Sequence, residues 1–214
     1  MKFRDRTDAG RALAEKLEMI VGRAPSATVI GVPRGGVILA EIVAQRLGAG
    51  FDIAVPRKMG APGNEELAIG AVMEDGTQYV NRYMVTALRV PPAYLDEEKA
   101  RQVAEIQRRM AAYRRQDLPY DIKDKTAILV DDGVATGATV IAAARWVKKQ
   151  EPSRLVIAVP VSPAQTVESL KHEADMVVAL YAPRNFGAVG EFYEEFSPVA
   201  DEQVAAIMRE RNLL

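Results

Sequence analysis

Residues Thr126–Val130 (TAILV) are apolar almost without interruption, and the chain passes from them directly into Asp131-Asp132-Gly133 and a helix-forming stretch. A strand with one wet face alternates apolar and polar residues, whereas an unbroken run is covered on both faces. That is the signature of a parallel sheet, whose neighbouring strands must be joined by crossovers, usually helical. The same pattern predicts strands at Ala27–Gly31, Phe51–Val55, Leu155–Val161 and Met176–Tyr181. Helical spacing predicts helices over 7–22, 35–47, 137–150, 163–173 and 201–211, with Gly22 and Gly48 placed as stops. In the first of these, Ala9, Leu13, Leu17 and Ile20 recur on one face. The repeated β-α-β order predicts an α/β fold, a mostly parallel sheet flanked by helices.

Two stretches depart from the alternation. Residues 57–68 (RKMGAPGNEELA) hold Gly, Pro and Asn and are expected to form a mobile loop. Beyond it, Ile69–Met73 and Gln78–Val80 flank Glu74-Asp75-Gly76-Thr77, a hairpin turn. Residues 94–117 form the longest helical candidate, with Leu95, Val103, Ile106, Met110 and Tyr113 on its apolar side. Its charges, among them Lys99, Arg101, Arg108, Arg109, Arg114 and Arg115, read as a solvated face. No repeat or linker divides the chain, so one domain over 1–214 is expected, its core at about 25–181.

Composition narrows the chemistry. The 214 residues contain no cysteine, which excludes disulfides, thiolate metal sites and a cysteine nucleophile. The one histidine, His172, excludes a multi-histidine metal site and reads as a surface residue. With 28 Lys+Arg against 29 Asp+Glu, the net charge of -1 gives no global pull towards nucleic acid, which is not expected as a partner. No run approaches the ~18 apolar residues of a membrane span. Met1–Arg11 lacks the apolar core of a signal peptide, so a cytoplasmic location is expected. Any catalysis must use carboxylates, hydroxyls, backbone amides, Lys and Arg.

The string TAILVDDGVATGAT concentrates such groups. Ligands of open parallel sheets bind beyond the carboxyl ends of the strands. There the free N–H groups of a helix start receive an anion, and glycines let a phosphate approach the backbone. Thr136 and Thr139 add hydroxyl donors. Asp131 and Asp132 would repel a phosphate and need another partner: vicinal sugar hydroxyls, or a cation bridging to them. The string is not a Walker A loop, since no Gly-Lys-Ser/Thr is present, nor a dinucleotide fingerprint. A second Gly-rich strand–helix junction, Gly31-Val32-Pro33-Arg34-Gly35-Gly36, adds a guanidinium suited to an anion.

VDDGVATGAT resembles the phosphoribosyl diphosphate (PRPP) motif of the type I phosphoribosyltransferases, and the chain as a whole is similar to a bacterial group within that family. The resemblance implies that Asp131 and Asp132 hold the ribose hydroxyls and that Gly133, Val134, Ala135, Thr136, Gly137, Ala138 and Thr139 wrap the 5′-phosphate. Ala138 stands where many members have Gly. It implies a diphosphate loop at Arg34, Gly35 and Gly36, with a non-proline cis peptide expected near Arg34. It also implies that Arg57 and Lys58 close over the leaving diphosphate. A C-terminal hood is implied at about 182–200, followed by the closing helix, with Phe186 or Tyr193 stacking on a base. Mg²⁺ is the implied cofactor, held mainly by ligand oxygens with Asp131 and Asp132 as candidate ligands. The implied reaction transfers phosphoribosyl to a nitrogen acceptor, a nucleobase-like molecule, and the implied assembly is a homodimer. Two other classes stay open: a PRPP-sensing regulator that binds nucleic acid, and a hydrolase or transferase acting on another phosphosugar.

Overall fold

In the computed structural model, which describes residues 2–214, the chain begins α1 (Arg6–Val21), β1 (Ala27–Gly31), α2 (Gly35–Leu47), β2 (Gly50–Ile53), β3 (Arg57–Ala61), β4 (Asn64–Val72) and β5 (Gln78–Val80). It continues through α3 (Arg82–Ala87), α4 (Pro92–Tyr113), β6 (Thr126–Val130), α5 (Ala138–Lys149), β7 (Arg154–Val161), α6 (Ala164–Leu170) and β8 (Met176–Tyr181). A 3-10 turn at Val189–Phe192 and α7 (Asp201–Glu210) complete it. Five strands form one sheet in the order β2-β1-β6-β7-β8, all neighbours parallel. The chain is thus α/β, with a mostly parallel sheet flanked by helices.

The unbroken apolar runs are explained by the layers. Val29, Ile128 and Val156 face the layer that also holds Leu13 and Leu17 of α1 and Leu39 and Val43 of α2. Ile30, Leu129 and Ile157, one residue further along each strand, face Ile141 and Trp146 of α5. Period-2 side-chain alternation therefore meets apolar cover on both sides. Each fully buried Val, Leu or Ile contributes about 1.5–3 kcal/mol. Helix ends follow local rules: the Asp5 side chain accepts from Asp8 N–H to cap α1, and Gly48 takes the left-handed conformation that ends α2.

The expected loop at 57–68 is corrected. Residues Arg57–Ala61 and Asn64–Val72 pair as an antiparallel hairpin, and β5 extends it into a three-stranded sheet. The hairpin is held against α4, where Glu98 accepts from the Gly60 N–H at 3.1 Å and the Tyr94 hydroxyl donates to the Gly60 carbonyl at 3.0 Å. The buried side of α4 accordingly reads Glu98, Gln102, Ile106, Met110 and Tyr113; Leu95 and Val103 are only half-buried. Nor is Arg114 part of a solvated face, since it is buried against Asp52. His172 is exposed, as expected. Among the described residues, no helix is long and apolar enough to cross a membrane.

Candidate active site

From β1 the sheet grows outward to β2, and on its other side the chain resumes with β6, so the strand order reverses between β1 and β6. Crevices that take ligands form at such a switch point. Both glycine-rich junctions of the sequence lie here. The loop after β1 leads into α2 and the loop after β6 leads into α5. Neither helix start has a side-chain cap: Arg34 occupies the cap position of α2 and Gly137 that of α5, without capping hydrogen bonds. Two sets of backbone N–H groups are thereby left for an anion.

The two junctions touch. A Cβ on Gly36 would lie 2.8 Å from both the Asp131 Cα and the Val130 carbonyl oxygen, and one on Gly35 would overlap the Asp132 carboxylate. Glycine is required at 35 by this close approach. The Pro33–Arg34 peptide is cis, at the expected place. Asp131 and Asp132 stand side by side, and the Asp132 N–H donates to Asp131 Oδ1 at 2.9 Å. Burial, then the neighbouring charge of Asp132, pushes the Asp131 carboxyl well above its ordinary range. Burial raises Asp132 as well, against the opposing pull of Arg6. One guanidinium, that of Arg6, is bonded to the pair, at Asp132.

Beyond the acids, the loop turns into α5 at Gly137, whose φ of 84° lies in the left-handed region open to glycine. The Val134 N–H donates to the Val161 carbonyl at 2.9 Å, and the Thr166 hydroxyl donates to the Ala135 carbonyl at 2.7 Å. Both bonds fix the loop from β7 and α6. Ala135 and Thr136 are exposed, whereas Gly137 and Ala138 are buried at the helix start and Thr139 is half-buried.

Arg57, Lys58 and Thr139 line one cavity of about 300 Å³, together with Arg109 of α4 and with Glu65, Glu66 and Glu98. The basic pair on β3 and the end of the phosphate-loop candidate therefore share a wall. Arg57 Nε donates to Gln102 Oε1 at 2.8 Å, which holds it against α4, while Lys58 is exposed. Arg34 does not line this cavity; its guanidinium lies 3.5 Å from Asp201 at the start of α7. The Tyr113 hydroxyl also donates to Asp201, tying α4 to α7.

The two aromatic candidates differ. Tyr193 is 3% exposed, with its ring between Phe3 and Phe196 at centroid distances of 5.6 and 4.8 Å. Its hydroxyl donates to the Asp132 carbonyl at 2.6 Å, so in this conformation the ring has no face for a base. Phe186 is half-buried and stacks on Phe192 at 5.2 Å. Sequence reasoning missed Arg6, whose Nε donates to Asp132 Oδ2 at 2.7 Å. It is separated from that acid by 126 positions, and no local pattern marks it.

Among the described residues, no cluster of three or more His, Cys, Asp or Glu side chains could cage a metal ion. Two adjacent carboxylates sharing one guanidinium do suit a hard divalent cation. Mg²⁺ takes one or two carboxylates and draws its other ligands from water and substrate phosphates. Asp131 and Asp132 are the residues that would hold it.

Comparison with known proteins places the chain in a family. The "Putative phosphoribosyl transferase Rv0571c" of Mycobacterium tuberculosis is 40% identical over 206 residues, 96% of this chain. The chain spans about half the length of that relative, 46%. The Thermus thermophilus protein TT1426, known from a crystal structure, is 46% identical, with a TM-score of 0.81 over 98% of this chain and 99% of that one. Residues 5–195 match the model of the phosphoribosyl transferase domain, and the chain belongs to that family, whose enzymes are glycosyltransferases of the pentosyl type.

Proposed function

We propose that the protein transfers the phosphoribosyl group of PRPP to a nitrogen acceptor, a nucleobase-like molecule, and releases diphosphate. The observation that carries this reading is the meeting of two uncapped helix starts with an acid pair at one switch point. Asp131 and Asp132 bind the ribose hydroxyls, and residues 133–139 take the 5′-phosphate on backbone N–H groups and the Thr136 and Thr139 hydroxyls. Gly35 and Gly36 present backbone donors to the diphosphate. Arg57 and Lys58 place positive charge where the charge of the leaving group grows, and Arg34 is the third cation offered to the diphosphate. The bond from C1 to the diphosphate oxygen breaks and its electron pair leaves with diphosphate. The acceptor nitrogen supplies the new pair to C1 and gives up its proton to solvent. Bound Mg²⁺ would neutralise charge on the diphosphate oxygens. No side-chain nucleophile is required; positioning and electrostatics lower the barrier. The segment 182–200 is the acceptor-side hood, and the assembly is a homodimer serving nucleotide salvage.

Calorimetric titration with PRPP and Mg²⁺ tests the binding step, and a screen of bases and amines scored by diphosphate release identifies the acceptor. The double variant Asp131→Asn, Asp132→Asn is expected to lose PRPP binding and to remain folded. A wild-type protein that ignores millimolar PRPP, or a folded double variant that binds it normally, would overturn the reading.

A further inference from the structure

We infer that Arg6 is a positioning residue for the ribose: it fixes the Asp132 carboxylate and locks the 182–200 segment in register with it. The inference rests on the phosphoribosyl reading above. Arg6 opens α1, and the residues just before it are bound to the distal segment by main-chain hydrogen bonds. The Phe3 N–H donates to the Phe192 carbonyl at 2.8 Å, and the N–H groups of Glu194 and Glu195 donate to the carbonyls of Phe3 and Arg4. The buried Phe3 ring anchors this contact against Tyr193. The start of the chain thus delivers one guanidinium to the acid pair.

That guanidinium is held from three sides. Nε donates to Asp132 Oδ2 at 2.7 Å and Nη1 donates to the Ser197 carbonyl at 2.7 Å. Its Cζ lies over the Phe196 ring, 3.9 Å from the centroid. The Arg6 and Asp132 side chains are 12% and 15% exposed. A Cβ on Gly35 would sit 2.6 Å from Arg6 Nε, so the diphosphate-loop candidate packs flush on the pair. An ionised carboxylate offers about four lone-pair sites. Arg6 takes one and blocks rotation, leaving acceptors at a fixed orientation for sugar hydroxyls. Tyr193 supplies a second link from the same segment, to the Asp132 main chain. Lys cannot reproduce the arrangement, since a planar fork reaches two acceptors while stacking on a ring and an ammonium does not.

The test separates the ribose from the rest of PRPP. Three probes are titrated in the presence of Mg²⁺: PRPP, ribose 5-phosphate and inorganic diphosphate. For Arg6→Gln, affinity for PRPP and ribose 5-phosphate is expected to fall about tenfold, with diphosphate changed less than about twofold. Arg6→Lys, which keeps the charge, is expected to lose about threefold for the two ribose-bearing probes only. Equal weakening of all three probes in either variant would mean general loosening of the fold and would overturn the positioning role. Unchanged affinities would overturn it too. Failure of the wild-type protein to bind PRPP or ribose 5-phosphate would instead overturn the phosphoribosyl reading, and this inference with it.

Discussion

Arg114 and Asp52 face each other as a buried fork, with Nε 2.7 Å from Oδ1 and Nη2 2.8 Å from Oδ2. Their side chains are 2% and 5% exposed. The remaining guanidinium hydrogens go to the carbonyls of Arg115, Leu118 and Pro119, and its Cζ lies over the Tyr120 ring, 3.9 Å from the centroid. The pair joins β2 to the end of α4, beside the strand that feeds the candidate site. Removing one member strands a charge in the interior, which costs about 3–5 kcal/mol. Asp52→Asn and Arg114→Met are each expected to lose that much in urea unfolding. The double variant Asp52→Leu, Arg114→Met is expected to be less destabilised than either single change.

Gly35 sets a second test. Ala at this position would place its Cβ inside the Asp132 carboxylate, and the loop would have to move, at an overpacking cost of about 1–3 kcal/mol. At the hairpin tip, Gly63 has a φ of 73°, and a methyl group added there would meet nothing within 4 Å. Its Ala variant meets only the left-handed backbone cost, about 1–2 kcal/mol. Both variants are expected to melt earlier, but PRPP binding should vanish in Gly35→Ala and persist in Gly63→Ala. Equal titrations would show that the Gly35–Asp132 contact is unimportant for the ligand.

How much of this was legible depends on how local the cause is. The strand at 126–130 and the acids after it are neighbours in sequence, so one short pattern reports both. Gly35 and Gly36 were readable for the same reason. Arg6 and Tyr193 act on Asp132 across 126 and 61 positions, and nothing near them in sequence announces it. Arg114 sits among charges of both signs, and only the buried Asp52 distinguishes it from its exposed neighbour Arg115. The hairpin at 57–72 was hidden by its Gly, Pro and Asn content, which resembles a loop. Its order comes from pairing and from Glu98 and Tyr94 on α4.

Glu74 makes stability depend on pH. It follows β4; Tyr120 donates to one of its oxygens at 3.5 Å, while the other is buried without a partner among the described residues. Burial, followed by the charge of Asp75, pushes its carboxyl from an ordinary 4.5 up to about 7. A raised carboxyl stabilises the fold below its unfolded value, and that contribution is lost as pH climbs through the folded one. From pH 4.5 to 8 the loss is on the order of 2 to 3 kcal/mol, at 1.36 kcal/mol per unit. Glu74→Gln stays neutral, so its advantage over wild type in urea unfolding is expected to grow between pH 5 and pH 8. A constant difference across that range would refute the assignment.

The two aromatic candidates can be told apart by what each side chain already touches. Tyr193→Phe keeps the ring between Phe3 and Phe196 and removes only the donor to the Asp132 carbonyl. If the ring were a platform for the acceptor, this change would leave both stability and acceptor affinity intact. As an anchor it must cost about 0.5–1.5 kcal/mol, the net worth of one buried hydrogen bond, with a lower melting temperature. Phe186 is half-buried, so Phe186→Ala is expected to cost less than a core Phe→Ala change of about 3–5 kcal/mol. If it meets the acceptor, that variant raises the acceptor KM while PRPP titrates as in wild type. An unchanged KM in Phe186→Ala, beside unaltered stability and an unaltered KM in Tyr193→Phe, would reverse the assignment of the two residues.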